Sequence, residues 1–268
     1  MKTLALLTQH DKARAIAPAL QQAGFQVTTV GGFDTDTLGT FTGETSRLGS
    51  QLDAATAKAR KGCELSGERF GLGSEGSFGP DPYTGLMPWA RELLVWWDSE
   101  DARAVSALVQ GGATNYTQTH VSTLQEAEVF AITAQFSSHG LVVGRPGEPC
   151  FSKDIRTLHD LQRQMLLGLE DGPVWLETDM RAHRNPTRMN MVAHCAQRLS
   201  TLLQRQCPRC AGIGFGTETP VPGALCTACR QPTTAMRAKL IHCSACNFSL
   251  EEVIQETVAP SRCDYCNP

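Results

Sequence analysis

Eight of the eleven cysteines stand in four Cys-x-x-Cys pairs, which are Cys207/Cys210, Cys226/Cys229, Cys243/Cys246 and Cys263/Cys266. Two thiolates presented by one such turn bind one side of a tetrahedral zinc ion, and a second pair completes the coordination. The pattern therefore predicts two structural zinc ions, each held by four thiolates with no open position for water. The order of combination stays open, because sequential pairing gives two ribbons and alternating pairing gives a cross-braced module.

A disulfide framework is the alternative reading of these cysteines, and the rest of the sequence argues against it. Residues 1–10 contain an apolar run that is too short for a secretory signal and lacks a small-residue cleavage site. No stretch reaches the roughly 18 apolar residues of a membrane span. Cysteines in a reducing compartment are more often metal ligands than bridges. We therefore expect a cytoplasmic zinc protein without membrane contact, in which Cys63, Cys150 and Cys195 are small buried apolar side chains.

Length and charge set limits on the partners of the chain. Its 268 residues suffice for an α/β domain and a small appended module. The 24 basic and 27 acidic residues nearly balance, and residues 205–268 contain six Lys/Arg against five Asp/Glu. A module that grips a phosphate backbone by charge alone is normally more basic. The composition therefore gives no support for nucleic-acid binding.

The part of the chain before the cysteine pairs has the alternating pattern of an α/β domain. A buried strand is predicted over residues 4–8, followed by a helix that Asp11 would cap and Pro18 would kink or shorten. An amphipathic helix over 187–206 runs directly into the first cysteine pair. We accordingly divide the chain into an α/β domain at 1–205 and a zinc-ribbon domain at 206–268.

Residues 31–75 are predicted to connect and extend this α/β pattern. A long loop rich in Gly, Thr and Asp is expected over 31–45. Ser50 and Asp53 form a capping box that opens the next helix. A brief strand is expected over residues 70–74, before a segment rich in glycine.

A polar turn at Thr8–Lys12 is the first segment that could bind a ligand. Free backbone N–H groups at a helix start, together with the Lys12 ammonium, make a natural seat for a phosphate group. An ordinary capped turn between strand and helix is the alternative.

The glycine-rich segment after residue 70 is the second candidate. Gly71, Gly73 and Gly76 match the G-x-G-x-x-G pattern of dinucleotide-binding proteins, but that fingerprint must open a helix. Pro80 and Pro82 follow too closely to allow one, and we reject this interpretation.

What remains of that segment is a strand ending at Glu75, with Asp81 close behind. Paired carboxylates at a strand end suit magnesium, and glycines would let a ligand approach the backbone. A plain turn made by glycine and proline is the alternative.

The third candidate segment combines carboxylates with arginines. Glu177 and Asp179 face the same side of a predicted strand, since side chains alternate along strands. Arg181, Arg184 and Arg188 then gather around the start of the next helix. Their forked donors bind phosphate bidentately, whereas a structural ion-pair cluster is the alternative.

Nucleophilic catalysis has no candidate residue in this sequence. It contains no serine elbow, H-E-x-x-H or Walker A lysine loop. His139 is expected to be a loop histidine. The remaining candidates indicate binding of an anionic substrate and metal-assisted attack by water.

Three stretches of the first eighty residues resemble the inosine/xanthosine triphosphatase family. That family has a T-x-N-P-x-K turn, an E-E-T-R-x-G-A-x-x-R helix start and a strand ending in a G-x-E-x-G loop. The residues that carry the resemblance here are Thr8, Lys12, Glu44, Arg47, Gly49 and Glu75. His10 and Asp11 replace the Asn-Pro of the family's turn, and residues 80–173 do not follow the family.

This resemblance implies a mixed-sheet, two-lobed α/β fold and magnesium-dependent release of pyrophosphate from nucleoside triphosphates. Lys12 would contact phosphate, while Glu44 and Glu75 would hold metal or activate water. Residues 74–80, 177–182 and 263–268 also resemble a bacterial family, without an assigned activity, that joins such a domain to a C-terminal double zinc ribbon.

Two functions follow from these observations. The leading one is a magnesium-dependent nucleotide pyrophosphohydrolase, with Glu75, Glu44 and Asp81 as catalytic carboxylates. Its substrate-binding residues would be Thr8, Lys12, Arg47, Arg181, Arg184 and Arg188. The alternative is a non-catalytic nucleotide sensor whose zinc ribbons contact a protein or nucleic acid. A homodimer is compatible with either.

Overall fold

The computed structural model describes residues 1–32 and 49–268, apart from the side chain of Asp154. The chain forms two compact units, Met1–Leu199 and Ser200–Pro268. The division falls within the last long helix, somewhat before the expected boundary at 205/206. In the described part of the chain, no helix has the length and apolar character needed to span a membrane.

A five-stranded mixed sheet forms the first half of the α/β unit. Its strands are β1 Lys2–Leu7, β2 Phe25–Val30, β3 Phe70–Pro80, β4 Pro88–Asp98 and β5 Arg103–Gly111, in the spatial order β2-β1-β3-β4-β5. β1 pairs in parallel with β2 and β3, whereas β3, β4 and β5 pair antiparallel. The crossovers through α1 Ala13–Gln22 and α2 Gln51–Ser66 step in opposite directions. Right-handed crossovers of this kind place α1 and α2 on opposite faces of the sheet.

The start of α1 differs from the prediction. Lys12, not Asp11, occupies the N-cap position, and its side chain makes no capping hydrogen bond. Asp11 has a left-handed backbone with φ of 52°, and its carboxylate lies 3.4 Å from Nε of Arg14. Pro18 lies inside the helix without ending it. The turn after β1 therefore directs Lys12 inward, where its side chain is buried.

Two glycines of β3 have a packing role that the sequence interpretation assigned to ligand approach. A Cβ atom at Gly71 or Gly73 would collide with the backbone oxygens of Ala59 and Ala55 in α2. β3 also continues to Pro80, well beyond the brief strand predicted over 70–74. The predicted capping box at the start of α2 is confirmed. The glycines thus allow α2 to pack closely against β3.

A second, antiparallel sheet completes the α/β unit. Its strands are β6 Gln118–Val121, β7 Leu141–Val143, β8 Ser152–Ile155 and β9 Val174–Thr178, in the order β6-β9-β7-β8. The helices α3 Leu124–Thr133 and α4 Leu158–Leu169 cover this sheet, and Met165 of α4 belongs to the same apolar cluster as Leu141 and Leu176 of the strands. The last helix, α5 Pro186–Gln204, follows β9 after a short polar segment.

The C-terminal unit is built from short strands between the cysteine pairs. β10 Thr217–Pro222, β12 Met236–His242 and β13 Ser249–Val253 form a three-stranded sheet, and β11 Leu225–Cys226 pairs with β14 Thr257–Val258. Its apolar clusters are small; one contains Phe215 and Ile241 and another Ala224 and Val258. So little apolar burial gives such a unit a weak core of its own.

Candidate functional site

The carboxyl end of β1 is where the topology of the first sheet favours ligand binding. β1 lies between β2 and β3; the chain runs from β1 to β2 through α1 on one face of the sheet and from β2 to β3 through α2 on the other. Open α/β sheets bind ligands outside the carboxyl ends of their strands at this kind of switch point. β1 ends at Leu7, which leaves Ser74 and Glu75 of β3 beside the polar turn containing Thr8 and Lys12.

Lys12 is the centre of this arrangement. Its Nζ donates to Oγ of Ser74 at 3.0 Å and to the Ser74 carbonyl at 3.4 Å. Burial lowers the pKa of Lys12 to about 8, and the positive charge of Arg188 contributes, while Glu92 and Glu75 oppose the shift. Among the described residues, both hydrogen-bond partners of Lys12 are neutral oxygens, and a buried ammonium of this kind has a strong tendency to take an anionic partner.

Glu75 faces α2, on the opposite side of β3 from Ser74, since strand side chains alternate. Its carboxylate forms an ion pair with Lys58 of α2, and both side chains are largely buried. Glu75 lies within β3, and not at a strand end as predicted. It remains close enough to Lys12 to affect the pKa of that lysine. Lys12 and Glu75 therefore lie near each other at the carboxyl end of β1.

Arg188 and Glu92 form a buried ion pair on the other face of β3. Nε of Arg188 donates to Oε1 of Glu92, and the guanidinium also contacts the Met180 carbonyl and the ring of Phe78. Gly76 lies opposite Glu92 in the β3–β4 register, and a Cβ there would collide with both charged groups. Arg188 is thus packed into the protein and not presented to solvent. The structural ion-pair alternative applies to it.

Asp179 joins two of the other predicted arginines. It is fully buried and accepts from the guanidinium of Arg181 at 2.7 Å, while Nε of Arg184 lies 4.0 Å away. Side-chain exposure is 18% for Arg181 and 23% for Arg184, so one edge of each reaches solvent. Glu177 lies on β9, before these arginines in the sequence, and its carboxylate accepts a hydrogen bond from Trp175 Nε1. Burial raises the pKa of Glu177.

A pair of histidines links these groups to the turn after β1. The rings of His10 and His183 stack with centroids 5.1 Å apart. Burial and the nearby charges of Lys12, His183, Arg188 and Arg181 lower the pKa of His10 to about 3, so it is neutral near pH 7. Nδ1 of His10 and Oε2 of Glu92 are buried without a hydrogen-bond partner among the described residues. All three predicted segments therefore contribute to one polar neighbourhood.

Asp81 does not pair with Glu75. Six strand positions separate them, about 20 Å along an extended chain. The Asp81 carboxylate accepts from the Thr84 hydroxyl and from four backbone N–H groups of its own turn, those of Tyr83, Thr84, Leu86 and Met87. These bonds hold the pKa of Asp81 well below its usual range. Asp81 shapes the β3–β4 hairpin, and the predicted catalytic role is replaced by this structural one.

The remaining predicted residues divide into two groups. Thr8 lies at the end of β1, and its hydroxyl accepts from the His10 amide at 3.3 Å. Glu44 and Arg47 lie outside the described residues, as does most of the loop predicted over 31–45.

Sequence reasoning missed Lys58, Glu92, His10 and His183 as members of this neighbourhood. Lys58 and Glu92 lie in regular elements without any motif around them. Ala55 and Ala59 pack on β3, and Lys58 directly precedes Ala59. Helical periodicity would therefore have placed Lys58 beside the face of α2 that packs on the sheet. His10 was visible in the first polar turn, but only the fold brings it to His183.

The eight paired cysteines form two clusters of four. Cys207 and Cys210 meet Cys243 and Cys246, and Cys226 and Cys229 meet Cys263 and Cys266. Within each cluster the sulfurs all lie within 4.8 Å of one another, which suits one tetrahedral ion. The backbone N–H groups of Arg209 and Ala245 point at Sγ of Cys207 and Cys243. Both clusters are compatible with structural zinc, and the pairing is the alternating one.

The fold and these sites define a mixed α/β protein with an appended unit that can bind two metal ions. A family model described as a domain of unknown function, DUF6671, matches residues 58–268, and the chain belongs to this family. The matched range begins at Lys58 and includes Glu75, Arg188 and all eight paired cysteines. No curated protein and no solved structure matches the chain.

Proposed function

We propose that the chain is a magnesium-dependent nucleoside triphosphate pyrophosphohydrolase that acts on a nucleotide or nucleotide-like phosphorylated substrate. The observation that carries this proposal is the position of Lys12. It is a buried ammonium at the switch point of the sheet, bonded to Ser74 and close to Glu75. The convergence of the other predicted segments on the same end of β1 supports it.

The charge of the neighbourhood favours a polyanion. Of the described residues, five cations and three carboxylates lie in it, namely Lys12, Lys58, Arg181, Arg184 and Arg188 against Glu75, Glu92 and Asp179. The two stacked histidines add no compensating negative charge. A local surplus of positive charge attracts phosphate groups and raises their local concentration.

The lysines and arginines have different parts in this proposal. Lys12 and Lys58 act as compact charges beside the phosphates. Arg181 binds Asp179 through Nε and Nη2, and Nη2 of Arg184 donates to the Ile155 carbonyl. Each guanidinium would therefore bind a phosphate oxygen through its Nη1 edge. Arg188 is packed against Glu92 and Phe78, so it would contribute to the structure of the site without contacting the substrate. Of the predicted arginines, Arg181 and Arg184 are therefore the direct substrate contacts.

The fit of magnesium depends on Glu75. Among the described residues, the two cysteine clusters are the groups of three or more His, Cys, Asp or Glu that could hold a metal ion. Magnesium is, however, commonly held by one or two carboxylates together with substrate phosphates. Glu75 would supply the carboxylate on exchanging its contact with Lys58. When bound there, magnesium would neutralise phosphate charge and polarise the reacting bond.

In the reaction, a water oxygen forms a bond to the α-phosphorus, and the bond from that phosphorus to the bridging oxygen breaks. Pyrophosphate leaves, and Glu75 accepts the proton of the attacking water. Lys12 stabilises the negative charge that develops on the phosphate oxygens, and the low polarity of its surroundings strengthens this effect.

A non-catalytic nucleotide sensor is the second candidate, and the ion pairs favour it. Glu75 is paired with Lys58, and Glu92 is paired with Arg188. A carboxylate beside a cation is a weak proton acceptor, so a site that only binds its ligand would have these same pairs.

A panel of nucleoside triphosphates with magnesium, assayed for pyrophosphate release, separates the two candidates. Turnover of any member that disappears in Lys12→Ala supports the enzyme. A thermal shift with nucleotide and no turnover supports the sensor. If the panel produces no turnover and no thermal shift, both candidates are contradicted.

A further inference from the structure

His139 is a buried histidine whose contacts fix the position of its proton. It is 4% exposed, and its Nε2 accepts from the backbone N–H of Thr187 at 3.4 Å. A backbone N–H can only donate, so Nε2 carries no hydrogen and also accepts from the Thr187 hydroxyl at 2.9 Å. Nδ1 therefore carries the hydrogen and donates to Ser138 Oγ at 3.0 Å, which in turn donates to the Gln135 carbonyl at 2.7 Å.

This chain of hydrogen bonds ties one loop to the first turn of α5. Thr187 is the second residue of that helix, where N–H groups have no partner within the helix. The ring of His139 supplies the missing acceptor. Protonation of the ring would remove that acceptor and place a cation at the positive end of the helix dipole. Burial lowers the pKa of His139, in agreement with a neutral ring.

Gly140, the residue after His139, forms backbone hydrogen bonds with both Asp179 and Arg184. The Gly140 amide donates to the Arg184 carbonyl at 2.8 Å, and the Gly140 carbonyl accepts from the Asp179 amide at 2.8 Å. A Cβ at Gly140 would come within 2.9 Å of Asp179 Cβ and 3.1 Å of Arg184 Nε. The loop thus sets both the backbone and the side-chain space of these two residues.

We propose that His139 is a positioning residue of the phosphate site: as a neutral acceptor at the start of α5 it fixes Gly140, and Gly140 places Arg184 for its contact with phosphate. This proposal rests on the proposed function, because it requires an anion to bind beside Arg184. His139 itself does not contact the ligand.

Binding of inorganic pyrophosphate to the full zinc-loaded chain, measured by isothermal titration calorimetry with magnesium, tests the proposal. His139→Leu should weaken binding about tenfold, the effect of losing one well-placed charged contact. His139→Gln places an acceptor oxygen where Nε2 lies and should stay within about threefold of wild type. His139→Asn, which reaches only the Nδ1 position, is the matched control and should resemble His139→Leu.

A double-mutant cycle with Arg184→Met identifies the route of the effect. If His139 acts through Arg184, His139→Leu/Arg184→Met binds pyrophosphate no more weakly than Arg184→Met alone. Additive losses would overturn the proposal, as would equal binding by His139→Leu and wild type or failure of His139→Gln to restore binding.

Thr187→Val is the second variant, for use if His139→Leu does not fold. It removes the hydroxyl that donates a hydrogen bond to His139 Nε2. It should weaken pyrophosphate binding in wild type but not in Arg184→Met. The same loss in both backgrounds overturns the proposal. Wild type that binds no pyrophosphate contradicts both this proposal and the proposed function. Binding that is insensitive to His139 contradicts this proposal alone.

Discussion

Nζ of Lys12 lies 3.0 Å from Oγ of Ser74, and this contact joins two segments separated by 62 positions in the sequence. It closes the carboxyl end of β1 against β3. The buried ammonium has two neutral oxygen partners here and carboxylates nearby on both faces of β3. Lys12 forms no direct ion pair within the described part of the chain, so a phosphate group that enters beside it has none of those to displace.

Lys12→Met should weaken nucleotide binding more than it weakens folding. The substitution removes a buried charge and keeps most of the apolar volume, so the free energy of unfolding should change by about 1 kcal/mol or less in either direction. The dissociation constant for a nucleotide with magnesium should rise at least about tenfold. Calorimetry measures it, with Lys61→Met as the control, because Lys61 is a partly exposed lysine on α2 that pairs with Glu64. Equal effects of the two substitutions would contradict the assigned role.

Arg188→Met should destabilise the α/β unit. Glu92 is 1% exposed, and removing its partner leaves a buried carboxylate uncompensated, at a cost of about 3 kcal/mol. Replacing both residues, as in Arg188→Met/Glu92→Gln, should recover much of this loss because no buried charge remains. Urea unfolding of the three proteins measures both effects. A double variant that is less stable than Arg188→Met would show that Glu92 has another stabilising partner.

The stability of the α/β unit should depend on the protonation of His10. Its pKa is about 3 in the folded protein against 6.5 ordinarily, so the unfolded chain binds more protons between these values. The free energy of unfolding should therefore decrease as the pH falls from about 6.5 toward 3. His10→Gln lacks this titration, and its stability should fall less steeply over the same range. Parallel pH profiles of the two proteins would contradict the burial of a neutral His10.

The zinc content should be two ions per chain, and Cys226→Ser should reduce it to one. The alternating pairing places Cys226 with Cys229, Cys263 and Cys266, so the cluster at Cys207 keeps all four thiolates. The small core of the C-terminal unit should loosen, because metal binding supplies much of its folding energy. Metal analysis and proteolysis measure the two effects. Loss of both ions, or unfolding of Met1–Leu199, would contradict the separate clusters.

Local signals predicted the parts of the fold that depend on neighbouring residues. The capping box at Ser50 is present in the structure, and the helix predicted over 187–206 is present as α5 Pro186–Gln204. Cysteine spacing predicted two clusters, because a Cys-x-x-Cys turn determines its own geometry. Which pairs meet depends on strand order in the C-terminal unit, and spacing carries no information about that order.

The charged neighbourhood was predictable only in part. Lys12, Glu75 and Arg184 stood out because they lie in turns or beside glycines. Lys58 and Glu92 lie within a helix and a strand, and their ion pairs form only when distant elements pack together. The length of β3 was also missed, because Gly76, Gly79 and Pro80 suggest a loop locally. The packing role of Gly71 and Gly73 becomes visible only with α2 lying against them.

Pyrophosphate release by wild type and Glu75→Gln tests the central claim most directly. The substitution keeps the shape of the side chain and removes its ability to accept a proton, so turnover should fall by about a hundredfold or more. Thermal unfolding of both proteins, and of Lys58→Met/Glu75→Gln, measures how much stability is lost with the ion pair between Lys58 and Glu75. The proposed mechanism predicts turnover by wild type and near-complete loss in Glu75→Gln. Full activity of Glu75→Gln on a substrate that wild type hydrolyses would contradict it.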